Sequence, residues 1–575
     1  MSSVLARVFA LALFSGAVMG LRALLLLWAC PLAVTQESTE KEYVELDDVT
    51  WTTALLLISF VIVSTGVLCL VKCKDEDIRK ESWALLNVTL SIFCAASFDN
   101  AVCRLIETFS EEEGHEKPAF MSKPNLIVLF VFLCLVFVVL HLAFLCLIPQ
   151  ENHHVLFATQ ALGSHIMAFA SIVFFGHLQM AAVSWKAVSS WGGVWLVPLL
   201  AFGVMVILYR MVLHLLRRFD NEWWKEKRLV MHQAMLMQID AGGISVGFLI
   251  VQALCYSLID ESEPASSDAS EPERRFMPIT HGYPGHHKAY TELLLGLLAL
   301  VLLCSSSVWS VCLRHMVHSE FFFEFIGVLG SSMACWCLQR GGIIFFYQKC
   351  KSRMNRYHME VMCEYPHKCH GSHEMQPVQV VHRAVIVNAL AMSLLAVVCM
   401  LVIDGVADFW QGKPCCPATH STSYVAMVRP APAGDLDVRT AKALRKVMSG
   451  LGLLVGICWD KAFESSYDTL LDPHTMSRLA FQTDTVNEFI QGYPKQAERM
   501  VAVLGFLVSA LVGCAWFWHI VPSAMKEERD HEEAIKLETQ SLQNIKLPGE
   551  KTPTWQSSSS SEPDLGCWQT DAESD

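Results

Sequence analysis

Long apolar blocks, rather than amphipathic stripes, organise this chain. Eleven of them fall near residues 51–73, 83–107, 125–148, 155–183, 193–216, 230–259, 289–313, 320–347, 383–409, 441–468 and 499–521, and a further run lies within 1–35. A helix that crosses a bilayer takes about 20 mostly apolar residues, and each block is long enough. The pattern predicts an all-α fold, a polytopic transmembrane helical bundle of about 11–12 helices. The count turns on residues 1–35. Arg7, Arg22 and the run Leu24–Trp28 suit a first transmembrane helix, whereas Ala33-Val34-Thr35 ahead of polar Gln36–Glu40 suits signal-peptide cleavage.

The blocks alternate in kind. One set is almost purely apolar. The other carries Asp99, Asn100 and Arg104; His165 and His177; Asp240; Gln339 and Arg340; and Asp460, Lys461 and Glu464. A charge at the bilayer centre costs at least about 2.5–3.5 kcal/mol on insertion scales, so a polar interior is expected. The alternation suggests repeated two-helix units, each a polar helix followed by an apolar one. Ser97-Phe98-Asp99-Asn100-Ala101 resembles Cys458-Trp459-Asp460-Lys461-Ala462, and Asp240-Ala241 is a faint third copy.

Around the membrane domain, 51–521, lie an acidic polar segment, 36–50, long loops at 261–287, 348–382 and 410–440, and a tail over 522–575 that is charged and then Ser-rich. The basic linkers 72–82 and 217–228 read as cytoplasmic by the positive-inside rule. A cytoplasmic tail follows from alternate crossings. Lys349, Lys351, Arg353, Arg356 and Lys368 make the 348–383 linker basic as well, yet strict alternation places it outside. Either long loops escape the rule or one segment is re-entrant.

Composition changes this picture little. With 53% hydrophobic and 17% charged residues the chain is too apolar for a soluble protein of 575 residues. The net charge of -13 owes much to segments outside the blocks, and no Lys/Arg-rich run points to nucleic acid. More than half of the 21 cysteines lie inside apolar blocks, where Cys behaves as a small hydrophobe.

Candidate chemistry falls into four groups. Asp99, Cys103 and Glu107, and likewise Asp460, Glu464 and Asp468, stand at i, i+4 and i+8 and so share a helix face. Burial disfavours a charged carboxylate and a neighbouring cation favours it, so such groups are suited to exchanging protons or small cations. Their alternative role is as satisfied ion pairs that fix helix register. His165 and His177, with His141 on the preceding block, suit a proton relay or interhelical hydrogen bonds. Cys363, His367, Cys369 and His370 are good zinc ligands, but their spacing matches no standard finger. A solvated loop or a Cys363–Cys369 disulfide competes with zinc there. Gly243-Ile244-Ser245-Val246-Gly247 satisfies G-x-S-x-G, although a nucleophile elbow needs a strand-turn-helix; the same glycines form a G-x-x-x-G helix-packing motif.

The expectation is therefore a multi-pass transporter or channel in the lipid bilayer. It would move protons, small cations or a small polar solute along a path lined by Asp99, Asp240, Arg340, Asp460, Glu464 and His177. The competing class is a receptor or scaffold with a structural polar core and a partner-recruiting tail. An intramembrane enzyme would need Ser245 as its nucleophile.

Overall fold

The computed structural model describes residues 48–73, 75–110, 123–147, 153–184, 190–218, 228–258, 290–312, 320–364, 377–410, 450–466, 494–527 and 529–530. These residues form eleven helices and no strand. In chain order they are α1 (Asp48–Leu70), α2 (Glu76–Ser110), α3 (Lys123–Leu147), α4 (His153–Ser184), α5 (Ser190–Arg218), α6 (Arg228–Ser257), α7 (Thr291–Cys312), α8 (Glu320–Glu364), α9 (Pro377–Trp410), α10 (450–466) and α11 (Pro494–Ala515). The last passes through a π-helical turn, Trp516–Ile520, and continues to 527. One helix answers to each of the eleven expected blocks between 51 and 521. Seven contain a stretch long and apolar enough to cross a membrane, and α1 and α7 hold shorter apolar stretches, as suits an integral membrane protein. Residues 1–35 and the 261–287 loop lie outside the described residues. Glu528–Asp575 forms a second unit, of which only 529–530 are described.

Local chemistry starts the inner helices cleanly. Asp75 caps α2 by accepting hydrogen bonds from the Asp77 and Ile78 amides at 3.1 and 3.4 Å. Glu76 and Asp77 add negative charge to the first turn, where the helix dipole favours it.

The alternation of blocks becomes an alternation of layers. No large hydrophobic side chain on α2, α4, α6 or α10 is exposed among the described residues. The apolar helices α1, α3, α5, α7 and α11 instead display rows such as Leu196, Leu199 and Ile207, or Val503, Leu507 and Leu511. Such rows suit lipid. Of the apolar stretches, 78% of the one on α6 is buried against 11% of the one on α11.

The five polar helices pack in a circle and run parallel. Ser91 of α2 meets His165 of α4. Gly163 of α4 faces Met237 of α6, and thirteen residues on Gly176 faces Gln252. Gly243 and Gly247 of α6 lie against Val328 and Ser332 of α8 in constant register. The thiol of Cys335 on α8 donates to the Gly450 carbonyl of α10 at 3.0 Å. Gly452 and Gly456 of α10 lie against Val88 and Ile92 of α2, which closes the circle. Glycine is required at these last two places, because a Cβ there would approach Val88 and Ile92 within 2.9 Å.

Each outer helix returns antiparallel. Phe130 and Leu140 of α3 pair with Phe174 and Gly163 of α4. Trp516, Gly513 and Phe506 beyond and on α11 pair with Asn87, Cys94 and Phe98 of α2. The expected unit, a polar helix followed by an apolar one, is shifted by one element. Each polar helix is covered by the apolar helix before it: α3 on α4, α5 on α6, α7 on α8, α9 on α10. The cover of α2 comes from the far end of the chain, α11.

The inner helices run parallel to one another, and α3 and α11 run antiparallel to the inner helices they cover. The basic stretch after residue 348 falls on a long helix. The 45-residue α8 is about 67 Å long at 1.5 Å per residue, more than twice a hydrocarbon core of about 30 Å. The loop expected over 348–382 is thus entered by α8, which runs to Glu364, and by α9, which starts at Pro377. Hydropathy marks where the bilayer ends, whereas helix formers without Gly or Pro carry the helix past it. The helix after the π-turn likewise reaches 527, past the expected tail boundary at 522.

Candidate functional site: a buried charge cluster

The two similar pentapeptides, 97–101 and 458–462, come to lie side by side on α2 and α10. Asn100 Nδ2 donates to Asp460 Oδ1 at 3.5 Å. Asp99, wholly buried, lies in electrostatic contact with Asp460, Lys461 and Glu464. Lys461 Nζ pairs with Glu464 Oε2, one turn along the same helix. Glu464 is in turn within electrostatic reach of Arg340 on α8, whose other neighbour is Cys255 on α6. Four inner helices thus contribute to one buried cluster. Among the described residues, the cluster brings together three carboxylates, Asp99, Asp460 and Glu464, and two cations, Lys461 and Arg340. Arg104 stands further along α2 and is partly exposed.

The surroundings hold these groups in place. His382 Nδ1 meets Ser465 Oγ at 2.9 Å, and Trp459 Nε1 donates to Ser393 Oγ at 2.9 Å, both fixing α9 on α10. Phe60, Phe93, Trp459 and Phe463 pack together with centroids 5.3–6.1 Å apart, all pairs edge to face except the tilted Trp459–Phe463 pair, along α10. Taking charges out of water this way is expensive, and only good pairing offsets it.

Asp240 stands apart. Gln160 Nε2 of α4 donates to its Oδ2 at 2.8 Å. Nearby contacts are also neutral: Gln238 Nε2 meets His141 Nε2 at 2.8 Å, and Ser91 Oγ meets His165 Nδ1 at 3.1 Å. His177 Nδ1 donates to the Val173 carbonyl of its own helix at 2.6 Å. Of the six expected path residues, Asp99, Asp460, Glu464 and Arg340 converge; Asp240 and His177 occupy other places in the interior.

The side chain of Glu107 and all of Asp468 lie outside the described residues. So do His367, Cys369 and His370, while Cys363 falls on the last turn of α8. Among the described residues, no three His, Cys, Asp or Glu side chains come together as metal ligands. Ser245 is buried and donates to the Gly242 carbonyl at 3.3 Å. Gly243 and Gly247 pack on α8, as the G-x-x-x-G motif implies. Sequence reasoning passed over Asn388 and Ser393, which sit in the block 383–409 classed as apolar, and His382, which was assigned to the loop before it but lies on α9. Their signal was one polar residue in every turn or two of α9. No protein-family model, curated protein or solved structure matches the chain.

Proposed function

We propose that the protein is a membrane transporter or channel that moves protons, small cations or a small polar solute past the charge cluster. The supporting observation is the convergence of buried ionisable groups. Among the described residues, Asp99 of α2, Arg340 of α8 and Asp460, Lys461 and Glu464 of α10 gather in the interior, a setting that can exchange a positive charge. If crossings alternate, the start of every inner helix and the end of the α11 helix share one end of the bundle. Arg79 there reaches Glu527 at 2.6 Å. With basic linkers at 72–82 and 217–228, that end faces the cytoplasm under the positive-inside rule, and the tail with it.

The test is pH-gradient-driven flux into proteoliposomes with an interior pH reporter, supplemented by ion-selective readouts. The wild type should dissipate the gradient, and Asp99→Asn with Asp460→Asn should not, although it stays monodisperse and helical. Equal flux in both would remove the carboxylates from the path.

A further inference from the structure

We infer that His141, Met167 and Gln238, contributed by α3, α4 and α6, form a site for a soft monovalent metal ion of the Cu⁺ or Ag⁺ class. The site is separate from the charge cluster, and the inference does not rest on transport.

Two donors suited to such an ion already aim at one atom. Gln238 Nε2 lies 2.8 Å from His141 Nε2 and 3.7 Å from Met167 Sδ. An amide nitrogen only donates, so the imidazole nitrogen and the thioether sulfur both turn lone pairs toward that point. The tautomer is fixed from the other side of the ring. His141 Nδ1 lies 2.7 Å from the Phe137 carbonyl, which only accepts, so Nδ1 carries the proton and Nε2 does not. A histidine that ligates a metal is held in this manner, its second ring nitrogen donating to a carbonyl or carboxylate.

Gln238 supplies the third donor. Its Oε1 is buried and, among the described residues, receives no hydrogen bond. Turning the amide over therefore breaks nothing at Oε1, and it sets that oxygen where Nε2 now stands. An imidazole nitrogen, a thioether and an amide oxygen then face one another, an arrangement that a bound cation stabilises. Thioether sulfur selects soft ions, Cu⁺ above all, and imidazole is a common partner for copper. All three donors are neutral, so a divalent ion would bring into the interior more charge than this set offsets. Met167 is 1% and Gln238 3% exposed, so water competes little for the same place.

Full-length protein, isotope-labelled at methionine methyls and histidine nitrogens, is titrated in detergent micelles with silver nitrate in chloride-free buffer. Accessible thiols are first alkylated with N-ethylmaleimide. The expected result is that the NMR signals of the Met167 methyl and of His141 Nε2 move together and saturate together. Met167→Leu should weaken the His141 response at least about tenfold, because even the loss of an outer-shell partner costs about 10–100-fold in metal affinity. If Met167→Leu does not fold, His141→Phe read at the Met167 methyl is the same test. Signals that move at different Ag⁺ concentrations overturn the site, as does an unchanged His141 response in folded Met167→Leu. A His141 signal that moves with acid but not with Ag⁺ overturns it too, and makes the histidine a proton acceptor instead.

Discussion

Asp240 and Asp99 are both aspartates inside apolar helices, and their surroundings differ in kind. Asp240 is answered by a neutral amide from the adjacent helix, 2.8 Å away. Asp99 sits beside two more carboxylates, Asp460 and Glu464, and the cation Lys461, and one of its oxygens receives no donor from the protein. Asp240 thus has a neutral amide donor on the adjacent helix. Three carboxylates drawn together from α2 and α10 are met, among the described residues, by Lys461 and Arg340. The first arrangement holds helices together; the second gathers like charges in the interior, which pairing must offset.

The sharpest way to break this comparison is to neutralise both sides of it. Asp99→Asn with Asp460→Asn should reduce flux to the protein-free baseline. Asp240→Asn, which keeps an oxygen for Gln160, should change stability by no more than about 1 kcal/mol and retain most of the flux. Comparable losses in the two variants would mean that the sites do not differ in role. Next in size is the ion pair. Lys461→Met leaves Glu464 buried against one cation fewer and should destabilise by about 3–5 kcal/mol, read as a lower Tm in detergent. Adding Glu464→Leu should recover much of it, whereas Gln160→Leu beside Asp240 should cost about 1–3 kcal/mol.

The seam that presses the cluster together offers a smaller effect. Gly456→Val would drive a side chain into Ile92 and should cost about 1–3 kcal/mol. Gly203→Ala, with nothing within 4 Å of the added carbon, should be neutral or better. Smaller still, Trp516→Phe loses hydrogen bonds to the Asn87 side chain and backbone and should cost about 1 kcal/mol. Arg79→Ala, at a partly exposed pair with Glu527, should stay below about 1 kcal/mol. A larger effect at Arg79 than at Trp516 would mean that the end of the bundle, not its seam, anchors α11.

Much of the fold was legible because hydropathy along a membrane helix is nearly a direct record of its surroundings. Blocks carrying Asp99, His165, Asp240, Arg340 and Asp460 went inside, and the more nearly apolar blocks went outside. The pairing of helices was not legible, since a hydrophobic row facing lipid and one facing protein look alike in sequence. The cover of α2 by α11 depends on Gly505, Gly513 and Trp516 meeting Ala101, Cys94 and Asn87, contacts with no short-range trace. The cluster was half legible. Similar letters at 97–101 and 458–462 hinted at a shared role, but their adjacency required the circle to close. Asn388 was hidden by the apolar average of its own block, and the extent of α8 by the assumption that polar residues end a helix.

The closure of the circle also bears on how the protein is made. Asp99 enters the membrane when α2 is synthesised, yet Lys461 and the α11 cover emerge some 360 residues and more later. At about 5–20 residues per second that is roughly 20–70 s. Throughout that interval an aspartate and a long helix flank stand in the bilayer without their final neighbours. The circle therefore closes only when α10 arrives between α8 and α2 and α11 covers α2, and a chain cut before residue 450 should leave the α2 and α8 faces that α10 occupies uncovered.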